Sequence, residues 1–246
     1  MRILVSIDDT DNLESRGTGE LASLIADDLE TNGWGTSSFV SRHQLLVHPD
    51  IPYTSHNSAM CFSAEIDDSS LDRVIGHASA FLSRESAPDS DPGLCVAVLD
   101  RLSSPDRLIA FGRQAKQAVL SKEMAYETAR CEGVHLSEHG GSGQGVIGAL
   151  AGAGLRLSGN DGRMKGGLKI PADNGVISVA ALISSFAEVD VVRSVTGEAV
   201  GNNDLVRIDE KAKTVLLDGL SVLLVTPSPD GTVTWQTVHR KQLKRY

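Results

Sequence analysis

Residues 2–7, RILVSI, make a short, largely apolar and β-branched run that stops at Asp8, the pattern of a buried strand. From Thr18 the apolar positions Leu21, Leu24, Ile25 and Leu29 follow helical spacing, and Gly33 offers a stop. Residues 2–31 are therefore expected to form a strand, an acidic loop containing glycine, and a helix. SSFVSRHQLLVH (37–48) reads as a strand, PDIPYTSHNS (49–58) as a loop and AMCFSAEI (59–66) as another strand. Leu71, Val74, Ile75, Ala78, Phe81 and Leu82 give an amphipathic helix, SAPDSDPG breaks it, and LCVAVLD is a strand. Residues 59–100 thus read as a β-α-β unit, half of a ferredoxin-like sandwich.

A long helix is expected from about Pro105 to Arg130, with Leu108, Ile109, Ala115, Ala118 and Val119 on its apolar side. HLSEHGGSGQGVIGALAGAGLRL then places a Gly-rich loop before a short helix carrying Val146, Ile147, Leu150 and Ala151. Residues 175–197 offer one more helix or buried strand, and the period does not decide which. Residues 204–209, 213–228 and 232–239 read as strands joined by turns such as SPDGT. The fold class is mixed α/β, with a boundary near residue 158 between an α/β body and a smaller β-rich part.

The 246 residues suffice for one large domain or two small ones, and 41% apolar with 22% charged residues is ordinary for a globular chain. No apolar run approaches the roughly 20 residues that span a bilayer, and the first residues lack a signal-peptide pattern. Cys61, Cys95 and Cys131 form no CxxC pair, so neither a zinc ribbon nor a disulfide framework is expected. These features point to a cytoplasmic protein with no membrane partner. The net charge of −9 does not support RNA as a partner, because phosphate contacts come from Lys and Arg. The best local basic stretch is the tail, with Arg240, Lys241, Lys244 and Arg245; a solvated charged end is the plainer reading.

Three pieces could make one site. Asp8, Asp9 and Asp11 crowd carboxylates at a predicted strand end, where ligands of α/β folds sit. Hard cations such as Mg²⁺ take carboxylate and phosphate oxygens, so the cluster is a candidate metal site; an exposed acidic turn is the alternative. Gly17, Thr18 and Gly19 open the first helix, whose N-terminal N–H groups suit phosphate. Thr18 could equally be its N-cap. In HGGSGQG (139–145), Gly141, Ser142, Gly143, Gln144 and Gly145 could converge backbone N–H groups on an anion, although no Walker A pattern is present. Together the pieces suggest a polyphosphate held by two backbone sites and bridged by Mg²⁺, the parts of a phosphoryl-transfer centre. Tyr53 and Asn57 lie in a loop that could face the ligand. His135 and His139 have metal-pair spacing only if helical, and the following glycines favour a loop. Trp34 and Trp235 read as packing residues, and Arg163, Lys165 and Lys169 as surface charges that could reach phosphates.

The stretches RILVSIDDTDNLESRGTGELA, HPDIPYTSHNSAMCFSAEID, DPGLCVAVLD and GSGQGVIGALAGAGLRL resemble, in order and spacing, the archaeal isoleucine-tRNA agmatinylcytidine synthetase family over about residues 1–157. The resemblance implies a kinase-like nucleotide-binding core (1–58 and 104–157) and a ferredoxin-like segment (59–103); the β-rich part (158–246), read from its own pattern, lies outside it and has no assigned role. It further implies Mg²⁺ and ATP as cofactors and a nucleotide plus an amine as substrates. By position Asp8, Asp9 and Asp11 would hold metal, Thr18 would take a phosphoryl group with Asp9 beside it, and Gly17, Gly19, Asn57 and residues 141–145 would contact the nucleotide. The chain departs from the family where Ser142 and Gln144 replace Lys and Arg, in a shorter 52–58 loop where His56 or Arg42 could supply charge, and in lacking the zinc ribbon. The leading expectation is an Mg²⁺/ATP-dependent enzyme that activates a nucleotide, RNA or small-molecule acceptor. The alternatives are a non-catalytic nucleotide-binding regulator and an RNA-binding module.

Overall fold

The computed structural model describes residues 1–51, 56–168, 170, 175–229 and 231–246. The chain forms two compact units, Met1–Ser158 and Gly159–Tyr246.

In the first unit the order is β1 (Arg2–Asp8), α1 (Thr18–Thr31), β2 (Gly35–Ser37), β3 (Ser41–Gln44), β4 (Ser58–Ile66), α2 (Leu71–Glu85), β5 (Gly93–Val98), α3 (Pro105–Gln114), α4 (Lys122–Glu132), β6 (His135–Glu138) and α5 (Gly145–Leu157). Within this unit the strands run β6-β5-β1-β4-β3, with β2 also paired to β4. Strand β1 is antiparallel to both β4 and β5, with Val5 opposite Phe62 on one side and Val96 on the other. β4-α2-β5 is thus the expected β-α-β unit, split by β1, and β1-α1-β2/β3 supplies the matching half of a ferredoxin-like sandwich. Because β1 is central, its sheet joins the residues before position 58 to those after it.

Both faces of this sheet are covered, which explains why β1 is apolar on both sides. Ile3, Val5 and Ile7 pack with Leu21, Ile25 and Leu29 of α1 and Leu82 of α2. Leu4, Cys61 and Cys95 face the other way, against Leu108, Leu150 and Leu155 of α3 and α5. Helix α5 approaches the sheet closely because it carries glycines there. A Cβ at Gly152 would lie 2.5 Å from Ser6 Oγ, and one at Gly148 only 1.6 Å from Asp8 Oδ2. The two-residue alternation of β1 therefore sends Leu4, Ser6 and Asp8 toward α5.

Three sequence expectations are corrected in this unit. The helix expected over 105–130 is two helices, because the chain turns after Ala115 and Ser121 caps α4 by accepting a bond from Met124 N at 3.4 Å. The strand expected over 37–48 is interrupted, since β2 and β3 pair with different stretches of β4. Strand β6, unforeseen in a polar stretch, pairs at the sheet edge with β5.

The second unit holds β7 (Arg163–Met164), β8 (Val176–Ser178), α6 (Val179–Ser185), β9 (Val191–Ser194), β10 (Leu205–Arg207), β11 (Thr214–Leu217), β12 (Leu220–Pro227) and β13 (Trp235–Thr237). Residues 175–197, left open between helix and strand, contain both. Within this unit the strands run β7-β11-β12-β13-β10-β8, with β9 parallel to β12. Leu182, Val206, Leu223, Val225 and Trp235 form its main core. Trp235 is buried and donates its indole N–H to Asp204 Oδ2 at 2.8 Å, while Trp34 packs edge-on against His77, so both tryptophans are packing residues. The side chains of Arg240, Lys241 and Lys244 are exposed, whereas the side chain of Arg245 is outside the described set. Among the described residues no helix is long and apolar enough to cross a membrane.

Candidate functional site

Asp8 ends β1 on its α5 face and is buried against Gly148. The next residue, Asp9, has φ 52°, in the left-handed region where Asp is tolerated better than most side chains. This turn lifts the chain out of the sheet. Residues 12–15 then close on themselves, Asn12 Oδ1 accepting from Glu14 N at 3.0 Å and Ser15 N at 2.9 Å. An Arg16–Glu85 ion pair and a bond from Ala87 N to Thr10 O, 3.0 Å, tie the loop to the end of α2.

Thr18 is the first helical residue of α1, after Gly17 at the N-cap, so it is not the cap allowed for in the sequence reading. Its hydroxyl is otherwise engaged. It donates to Asp11 Oδ1 at 2.9 Å and accepts from Thr10 Oγ1 at 3.1 Å. That places a hydroxyl against a carboxylate able to take its proton, at an N-terminus with unpaired backbone N–H groups.

The acidic cluster is electrostatically loaded. Burial first, then the charges of Asp9 and Asp11, push the Asp8 carboxyl up to about 8. Asp9 is pushed up to about 6, again by burial first and then by Asp91 and Asp11. Asp8 accordingly favours its protonated form at neutral pH, chiefly because it is buried. Among the described residues no three Asp, Glu, His or Cys side chains converge closely enough to hold a metal ion. Asp11 accepts the Thr18 hydroxyl, while Asp8 and Asp9 both border the cavity. A buried carboxyl beside a second raised one still fits the ligation Mg²⁺ prefers, one or two carboxylates completed by phosphate and water.

The Gly-rich loop is folded around a residue that the sequence reading passed over. Asp91 accepts bonds from both Ser142 N and Ser142 Oγ, and its backbone oxygen accepts from Gly145 N at 3.0 Å. Lys122 Nζ donates to Ser142 O at 2.7 Å and pairs with Glu138 Oε1 at 2.8 Å, where Tyr126 also donates. Lys122 thus reaches this loop from α4, a cation that the loop's own sequence lacks. Nothing local in SAPDSDPG could have marked Asp91, because its partner is 51 positions away.

These elements surround one cavity of about 660 Å³ within the first unit. Asp8, Asp9, Asp11, Gly17, Thr18, Gly19, Asn57, Gln144 and Gly145 all border it; Gly141, Ser142 and Gly143 do not. Asn57 is held by donating Nδ2 to Leu46 O at 2.7 Å. Tyr53 and Lys169 lie outside the described residues; Arg163 and Lys165 belong to the second unit. Leu45, Ile51, Ala115, Val119 and Leu120 supply apolar lining, and Arg42, Lys122 and His56 bring basic groups. The N-terminal turns of α1, α4 and α5 all open on this space. The break between α3 and α4 matters here: a continuous helix would have no N-terminus at Lys122. His135 and His139 are not a helical pair. They flank Ser137 on β6, with ring-to-hydroxyl distances of 2.9 and 2.8 Å.

No protein-family model matches the sequence, and no curated protein matches it. Solved structures do. A tRNA fluorescent labeling enzyme and TiaS in complex with an isoleucine tRNA and ATP each share 28% identity at a TM-score of 0.55, over 63% of this chain and 36% of theirs. TiaS with the same tRNA, AMPCPP and agmatine shares 27% identity at a TM-score of 0.53, over 62% of this chain and 36% of that one. TiaS is an isoleucine-tRNA agmatidine synthetase, so the resemblance seen in the motifs extends to the fold. The match spans little more than a third of those proteins' length, and this chain is the shorter.

Proposed function

We propose that the first unit binds Mg²⁺-ATP in the cavity at the end of β1 and uses it to activate an acceptor in RNA modification. The observation that carries this reading is the convergence of three helix N-termini and two raised carboxyls on one 660 Å³ cavity. Helix N-termini favour anions, and a buried acidic pair favours a divalent cation, so a metal–polyphosphate satisfies both demands at once. The apolar lining would take the base. Asp8 and Asp9 would hold Mg²⁺, which when bound neutralises charge on the phosphates. The bond from Thr18 to Asp11 supports a role for Thr18 as nucleophile: its Oγ–P bond would form, the bridging P–O bond would break, and the proton would pass to Asp11 as ADP leaves. The phosphoryl group would then pass to the acceptor.

RNA and an amine are the proposed partners because the similar structures hold tRNA and agmatine. Acidic residues well outnumber basic ones in Met1–Ser158 but are nearly balanced in Gly159–Tyr246. We therefore assign RNA contact to the second unit, including Arg240, Lys241 and Lys244 of the tail. A cytoplasmic location, where ATP and tRNA meet, belongs to the same proposal. The second reading, a nucleotide-binding regulator without turnover, draws on the tie between Asp91 and the Gly-rich loop. Incubation with γ-labelled ATP separates the two. Labelling of wild type and Thr18→Ser, with ADP release, is expected; label that persists in Thr18→Ala would overturn the role of Thr18, and binding without ADP release would favour the regulator.

A further inference from the structure

Gly141, Ser142 and Gly143 lie off the cavity wall although Gln144 and Gly145, next in sequence, line it. The reason is Asp91. Its two carboxylate oxygens each take one hydrogen from Ser142, from the backbone N–H and from the hydroxyl. Gly141 and Gly143 adopt φ of 54° and 76°, Gly141 against that carboxylate and Gly143 against Glu138. The fit is close enough that a Cβ at Gly141 would come within 1.8 Å of Asp91 Oδ1. A carboxylate and a phosphate make the same demand on such a loop: a negative oxygen met by N–H and O–H donors. The loop's anion seat is therefore filled from within the chain.

On the reading that the cavity takes a polyphosphate, we infer that Asp91 is an internal competitor that a phosphate group must displace from the Gly-rich loop. A residue whose only task was to brace the loop would predict the opposite response to substitution, because a loop that has lost its brace holds phosphate less well.

The apparent affinity of a ligand falls by the fraction of protein in the competent state, so a seat blocked nine times in ten weakens binding about tenfold. Asp91→Asn keeps the shape, removes the charge and replaces one acceptor by a donor; Asp91→Glu keeps the charge. ATP and inorganic tripolyphosphate, each with Mg²⁺, are titrated calorimetrically into wild type and both variants, with Asp91→Ser as the neutral substitute where Asn does not fold. The neutral variant is expected to bind about tenfold tighter than wild type, and Asp91→Glu no tighter than wild type. Unchanged or weaker binding in the neutral variant would overturn the inference. Tighter tripolyphosphate binding without any ATP binding would uphold the competition while overturning the nucleotide reading. Absence of binding by every ligand to every protein would overturn both.

Discussion

Gly148→Ala puts the placement of Asp8 under α5 to a direct test. In an open helix interior a Gly→Ala change gains about 1 kcal/mol, because alanine loses less backbone entropy and shields the helix. Gly76 in α2 is such a position, with nothing within 4 Å of an added Cβ. Gly148 is not: there the methyl would lie 1.6 Å from Asp8 Oδ2, 2.5 Å from its Cγ and 3.0 Å from its Cβ. Turning the Asp8 carboxylate into the cavity relieves the Oδ2 and Cγ contacts but not the 3.0 Å approach to its Cβ, which is fixed to β1. Overpacking of this kind costs about 1–3 kcal/mol, against which the helix gain still counts. Gly148→Ala should therefore be about 1–3 kcal/mol less stable than Gly76→Ala. Urea denaturation followed by Trp34 fluorescence, in a Trp235→Phe background, reports on the first unit. If Gly148→Ala proves as stable as Gly76→Ala, α5 does not seat on Asp8 and the site geometry is wrong.

Two further perturbations follow from the same structure. The folded Asp8 carboxyl titrates at about 8 against 3.8 in the unfolded chain, so its stabilising contribution is complete below 3.8 and is lost as pH rises toward 8. Without Mg²⁺ the protein should thus melt lower at pH 8.5 than at pH 5.5, Asp8→Asn should flatten that difference, and Mg²⁺ should raise the melting temperature more at the higher pH; a wild-type profile retained in Asp8→Asn would refute the assignment. Glu132 is fully buried, pairs with Arg107 Nη1 at 3.0 Å and accepts from Ser104 N at 2.6 Å. Glu132→Ala should cost about 3 kcal/mol in chemical denaturation, by stranding the Ser104 N–H and opening a cavity, and a loss below 1 kcal/mol would mean that solvent replaces both bonds.

What the sequence could reveal divides along physical lines. The apolar patterns of β1, α1, β4, α2 and β5 are strong because each element buries a defined face, and these elements form where the pattern placed them. The interval 105–130 misleads because apolar residues continue at helical spacing through Ala115, Ala118 and Val119, which line a cavity wall instead of a helix face. Strand β6 hides behind His135, Ser137 and Glu138, since an edge strand needs little apolar surface. At the site, Asp8, Asp9, Asp11, Thr18 and the Gly-rich stretch could be singled out because they cluster in sequence. Asp91 and Lys122 could not: each acquires its meaning only when the fold sets it against Ser142. Spacing along the chain likewise does not show that Asp11 accepts the Thr18 hydroxyl.

The proposed ATP site in the cavity at the end of β1 depends on a cation held by Asp8 and Asp9. Calorimetric titration of ATP with Mg²⁺, repeated with EDTA and with Asp9→Asn, tests it most directly. Asn suits the left-handed backbone at position 9 as well as Asp does, so the variant removes charge without forcing the turn. Binding to wild type with Mg²⁺ is expected, with at least a tenfold loss both in EDTA and in Asp9→Asn. Binding of equal strength in all three, or none to wild type, would contradict the proposal.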